Sequence, residues 1–166
     1  MIIYKDAFTN DEVLSDAMKN VRDVEDGLIL ASDSYNISKG GEDYGFENND
    51  EEGGDLADTS EQVNIVVESF QLIETGMDKK GFQLYIKKYL KKVKAKLEEK
   101  NSDRVQPFMD GMKAWVPKFL KEFDDYQFYM GRSCDSEAGY IYAKYDDGAT
   151  YPTFYLIKDG LVEEKV

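Results

Sequence analysis

Nine lysines crowd residues 79–100 against only Glu98 and Glu99, a local balance of +7 in a chain of net charge −13. A cationic concentration of that kind attracts an acidic protein surface or an anionic membrane. Lys87, Lys88, Lys91, Lys92, Lys94 and Lys96 form the candidate contact face. The competing reading makes them solubilising lysines, some of them answering acids elsewhere in the molecule. The opposite concentration runs from Glu42 to Glu61, with nine acids, no base, and Gly45, Gly53 and Gly54 among them. Carboxylates at that density attract calcium. The EF-hand spacing, with its fixed glycine and bidentate glutamate, is absent, so calcium would be held weakly by an irregular set. The competing reading is a solvated mobile loop over residues 39–61.

Composition excludes most catalytic chemistry. The chain has 166 residues and no histidine, so it lacks His-based triads and the usual general base. With Cys134 its one cysteine, it forms neither an intramolecular disulfide nor an ordinary zinc site. Cys134 follows Gly131-Arg132-Ser133 and has no base to activate it. No phosphate loop is present, and no carboxylate spacing marks an acid–base pair. The acidic balance argues against nucleic acid bound over the whole surface. A lone thiol fits a reducing compartment. The opening MIIYKDAFTNDE is too short in apolar residues for a signal peptide, and no run reaches the length of a membrane span. The expectation is a cytoplasmic, non-enzymatic binding protein.

The elements that position these groups read as follows. Met1–Tyr4 and Leu28–Ala31 are short apolar strands. Val63–Val67 is β-branched and reads as a strand that Phe70, Leu72 and Ile73 extend. Asp78 then caps a helix whose Phe82, Ile86, Tyr89, Leu90, Val93 and Leu97 share one face. Asn101-Ser102-Asp103 turns the chain into a second helix, with Val105, Phe108, Met109, Met112, Trp115 or Val116, Phe119, Leu120 and Phe123 as its apolar side. Two such helices form an antiparallel hairpin over 78–123. Pro117 predicts a kink or break near Lys113–Pro117. Tyr126–Met130, Tyr140–Tyr145 and Thr153–Ile157 read as aromatic strands, with turns at Asp146-Asp147-Gly148 and Lys158-Asp159-Gly160. Strands, a helical hairpin and more strands predict a single α+β domain over 1–166.

Several stretches together resemble the translationally controlled tumour protein family: MIIYKD with Asp11-Glu12 and Ser15-Asp16, YIKKYLKKVKAKLEEKNSDRVQPFMDGMK at 85–113, FDDYQFYMG at 123–131 and YPTFYLIKDGLVEEKV at 151–166. The resemblance implies a β-tent of small, mainly antiparallel sheets, a protruding α-hairpin and a long acidic mobile loop. That fold is similar to a Rab-associated exchange-factor family that holds zinc, which this chain lacks the residues to do. The resemblance further implies calcium binding, microtubule binding through the lysine-rich helix, and contact with a small GTPase of Ras or Rab type. The GTPase-facing positions of the family fall on Glu12, Leu72 and Arg132, the last a reversal of the family's glutamate.

Overall fold

Short strands are not stable alone, so the chain pairs them into sheets and lays a helical hairpin on the largest. The computed structural model describes residues 1–38 and 61–166. Its first strands are β1 (Ile2–Asp6), β2 (Glu12–Ser15), β3 (Arg22–Val24), β4 (Ile29–Ser32), β5 (Asn36–Ser38) and β6 (Gln62–Asn64). A short helix α1 (Ile65–Phe70) and strand β7 (Ile73–Thr75) precede helices α2 (Lys79–Lys100) and α3 (Val105–Lys121). Strands β8 (Tyr126–Met130), β9 (Ile141–Lys144), β10 (Thr153–Ile157) and β11 (Leu161–Lys165) follow. Among the described residues the sheets are ordered β11-β1-β2, β3-β4-β10-β9-β8-β7 and β5-β6, antiparallel throughout. The α+β fold with its helical hairpin is therefore as expected. The acid-rich stretch expected at 39–61 lies outside the described residues, apart from Glu61. No helix among the described residues is long and apolar enough to cross a membrane.

Strand alternation divides the core in two. Tyr142 of β9, Ile29 of β4, Ile157 of β10 and Phe128 of β8 turn towards the hairpin, joining Phe82, Tyr89, Phe108, Trp115 and Phe119. Their sequence neighbours Ile141, Ala143, Leu30 and Leu156 turn the other way, towards Leu14, Val66 and Phe70. The large sheet is thus buried on both faces, between the hairpin on one side and β2 with α1 on the other. That explains why its central strands lack polar alternation.

Three sequence expectations need correction. The β-branched run after Asn64 is a helix, not a strand. The Asn64 carboxamide oxygen accepts the amides of Val66 at 2.9 Å and Val67 at 3.4 Å, which starts the helical turn, and Val66 and Phe70 then bury on one face. Of the kink or break expected near Lys113–Pro117, the break does not occur: α3 runs on to Lys121. Pro117 lies on the exposed side, where water can hydrate the orphaned carbonyl, and burial of Trp115 and Phe119 on the other side holds the helix together. Finally, β2, β3 and β11 are strands in stretches too polar or too short to announce themselves.

Asn64 also donates from Nδ2 to Ser34 Oγ at 2.9 Å, and that hydroxyl donates to the Pro152 carbonyl. The residue therefore ties α1 to the β9–β10 hairpin. Asn64→Ala should lower the unfolding free energy by about 1–2 kcal/mol, the usual worth of a lost cap, in urea titration. An unchanged midpoint would refute the capping role.

Candidate functional site

The lysine-rich helix is built from its buried side. Asp78 accepts the Gly81 amide at 2.7 Å and opens α2. Phe82, Ile86, Tyr89, Val93 and Leu97 are buried at helical spacing and fix which way every lysine points. The predicted contact face consequently splits. Lys87, Lys88, Lys91 and Lys94 are exposed and have no acidic partner among the described residues. Lys92 and Lys96 are turned to the body. Lys92 Nζ donates to the Glu137 carbonyl at 2.9 Å and stands 4.8 Å from the Phe8 ring centroid. Lys96 Nζ donates to the carbonyls of Asp159 at 3.0 Å and Leu161 at 3.4 Å. Burial pulls the Lys96 ammonium below its ordinary pKa, against the pull of Asp159. These two lysines fasten the helix, and four remain for a partner. Leu84, 60% exposed, shares the outer surface of the same helix.

The helix meets the sheets at a buried junction that sequence reading missed. Asp6, at the end of β1, is 5% exposed. Its Oδ1 accepts the amides of Phe8 at 2.7 Å and Thr9 at 3.2 Å, and its Oδ2 accepts that of Gly139 at 2.8 Å. The Tyr89 hydroxyl fills the space beside Gly139 and Gly160, and a Cβ on Gly160 would collide with it. Tyr85 donates to the Ala138 carbonyl. Glycines at 139 and 160 were the available signal, since each leaves room for a tyrosine from α2.

The third set of positions gathers at the end of the large sheet. Ser133 donates its amide and hydroxyl to Asp11 Oδ2, which brings the loop carrying Arg132 against the start of β2, where Glu12 stands. Glu12 and Arg132 are both exposed. Leu72 is not: it is 5% exposed and packs in the core around Leu14 and Phe70. Its neighbour Ile73, 41% exposed and paired with Met130, presents the apolar surface there. Ile73 sits on an edge strand, and the β-branched run that looked like one long strand concealed it. Among the described residues no group of three or more His, Cys, Asp or Glu side chains is arranged to hold a metal ion.

Asp6 carries a pH prediction. Burial raises its pKa, and the amides of Phe8, Gly139 and Thr9 offset only part of that. The folded chain then holds this proton more tightly than the unfolded one. The stability it contributes is complete below the unfolded aspartate pKa and is lost as pH rises through the folded value. In a carboxyl NMR titration Asp6 should show its midpoint above the ordinary 3.8. The stability of the wild type relative to Asp6→Asn should fall as pH crosses that midpoint. A midpoint at or below 3.8 contradicts this.

Comparison with known proteins now places the molecule. The sequence matches the translationally controlled tumour protein family over residues 1–162. It is 43% identical over 169 residues to the translationally-controlled tumor protein homolog of Candida glabrata, covering 100% of both chains. It is 41% identical over 173 residues to that of Theileria annulata, covering 99% of each. Among solved structures, the fold is similar to the translationally controlled tumor-associated protein of Schizosaccharomyces pombe, with TM-score 0.81, 37% identity and 100% of both chains covered. It is also similar to the family's protein from Caenorhabditis elegans, with TM-score 0.68, 27% identity, and 100% and 99% coverage. On full-length identity and fold together, the chain belongs to the translationally controlled tumour protein family.

Proposed function

We propose that the chain is a non-enzymatic cytoplasmic binding protein that engages microtubules through the outer side of α2. The observation that carries this is the exposed stripe of Lys87, Lys88, Lys91 and Lys94, which has no acidic partner among the described residues. Like charges four residues apart destabilise a helix by about 0.2–0.5 kcal/mol a pair. Within the stripe Lys87 and Lys91 stand four residues apart, and Lys91 stands three from both Lys88 and Lys94. Solubility alone needs no such crowding in a chain already at −13. An acidic surface such as tubulin's relieves the repulsion and gains the attraction. Weak calcium binding belongs to the same reading, with no ligand residues assigned to it.

The test is co-sedimentation with microtubules at low and physiological salt. The stripe predicts binding that falls steeply as the Debye length shrinks from about 30 Å at 0.01 M to about 8 Å at 0.15 M. Reversing Lys87, Lys88, Lys91 and Lys94 to glutamate should weaken binding at least about tenfold while the fold is retained, since all four are exposed. Salt-insensitive binding, or equal binding by the reversed variant, would overturn the lysine-stripe reading.

A second reading, regulation of a small GTPase of Ras or Rab type, is favoured by one observation: the Asp11–Ser133 hydrogen bonds hold Glu12 and Arg132 at the same end of the molecule. Ile73 supplies the exposed apolar contact that Leu72, being buried, does not. Nucleotide release from such a GTPase should accelerate with the wild-type chain and return to the intrinsic rate with Glu12→Val. Equal acceleration by both proteins would remove Glu12 from the contact.

A further inference from the structure

Away from both faces, a cleft of about 320 Å³ opens between α3 and the turn joining β3 to β4. That volume lies at the small end of the range for ligand pockets. Its lining is aromatic. Trp115 and Phe119 stand with ring centroids 5.0 Å apart, Phe119 stacks on Tyr126 at 4.3 Å, and Tyr126 meets Tyr155 edge-on at 6.1 Å. Its rim is cationic. Among the described residues Lys118, Lys121 and Lys144 line it, with Glu25 and Glu122 as its acids. Lys144 pairs with Glu122 at 2.7 Å and Lys118 with Glu25 at 2.8 Å, while Lys121 has no acidic partner among the described residues. Flat rings and a spare positive charge at one mouth are complementary to a flat ligand bearing a negative end.

The mouth is also strained. Glu25 and Asp26 both adopt left-handed backbone, with φ of 54° and 58°, before Gly27 at 85°. Residues with a Cβ avoid that region, and two in succession are unusual. The strained turn holds Glu25 across the cleft from α3, where it meets Lys118. That exposed pair, with side chains 62% and 37% accessible, is a weak closure. An arriving anion can displace Glu25 from Lys118 and take its place.

We propose that this cleft binds a small flat aromatic anion, an aryl carboxylate or sulfonate, with its rings against Tyr126 and Tyr155 and its charge at Lys118 and Lys121. Glu25 competes with the ligand for Lys118 and acts as a latch.

Trp115, the one tryptophan of the chain, lies in the cleft and reports on it directly. The experiment titrates 1-anilinonaphthalene-8-sulfonate into the folded full chain and follows energy transfer from Trp115 to the probe. A saturable one-to-one transfer is expected, with a rise in the thermal midpoint. Tyr155→Ala should weaken binding about tenfold, the scale of one lost aromatic contact. Lys121→Glu, an exposed substitution that leaves the fold intact, should weaken it about three- to tenfold, and Glu25→Gln should tighten it about threefold. N-phenyl-1-naphthylamine, which has the same rings and no sulfonate, should bind at least about tenfold more weakly. Absence of saturable transfer overturns the proposal. So does equal affinity for the neutral probe, affinity unchanged by Lys121→Glu, or binding that appears only as the thermal transition is lost.

Discussion

Asp6 joins parts of the chain that are far apart in sequence. One carboxylate accepts amides from the turn after β1 and from the loop before β9, and the Ala7 amide donates to the Gly160 carbonyl at 2.9 Å alongside it. Tyr89 of α2 packs its hydroxyl between Gly139 and Gly160, and Lys96, two turns further on, donates to carbonyls beside Gly160. A buried carboxylate is tolerated only where donors replace the water it loses. Here the donors come from the backbone of two loops, so satisfying the charge and docking the helix are one event. The bidentate Arg104–Asp159 pair, with closest approach 2.6 Å, repeats the arrangement at the turn of the hairpin.

This junction decides what the lysines of α2 can do. Once Tyr89 and Val93 face the core, Lys92 and Lys96 flank it and find carbonyls on the body. Lys87, Lys88, Lys91 and Lys94 fall on the far side, exposed and with no acidic partner among the described residues. The cationic stripe is therefore set by the core packing behind it. The same hairpin, through α3, supplies the aromatic wall of the cleft on its other side.

Much of this was legible from sequence. The 3.6-residue period of Phe82, Ile86, Tyr89, Val93 and Leu97 located α2 and its buried side. The aromatic strands β8, β9 and β10 were equally plain, because a sheet buried on both faces is apolar along its length. Where the reading failed, local chemistry competed with composition. Ile65-Val66-Val67 has strand propensity, but the Asn64 cap and the burial of Phe70 favour a helix. Leu72 was assigned to a contact surface, and the turn that ends α1 points it into the core, leaving Ile73 outside. The sorting of the lysines was available in principle, since Lys92 and Lys96 each lie three positions after one buried residue and one before the next (Tyr89 and Val93, Val93 and Leu97), which none of the other four does. Charge density alone conceals it. Gly139 and Gly160 hint at the Asp6–Tyr89 junction, but it depends on the meeting of β1, α2 and two glycine loops, which no local pattern in the sequence specifies.

The division of α2 into a fastened side and a free side is the central claim, and amine labelling tests it most directly. The folded chain would be treated with a limiting amount of a succinimidyl ester and each lysine followed by mass spectrometry over time. The account predicts rapid modification of Lys87, Lys88, Lys91 and Lys94 and slow modification of Lys92 and Lys96, with the difference abolished in denaturant. Uniform rates across the six lysines of the folded protein would contradict it.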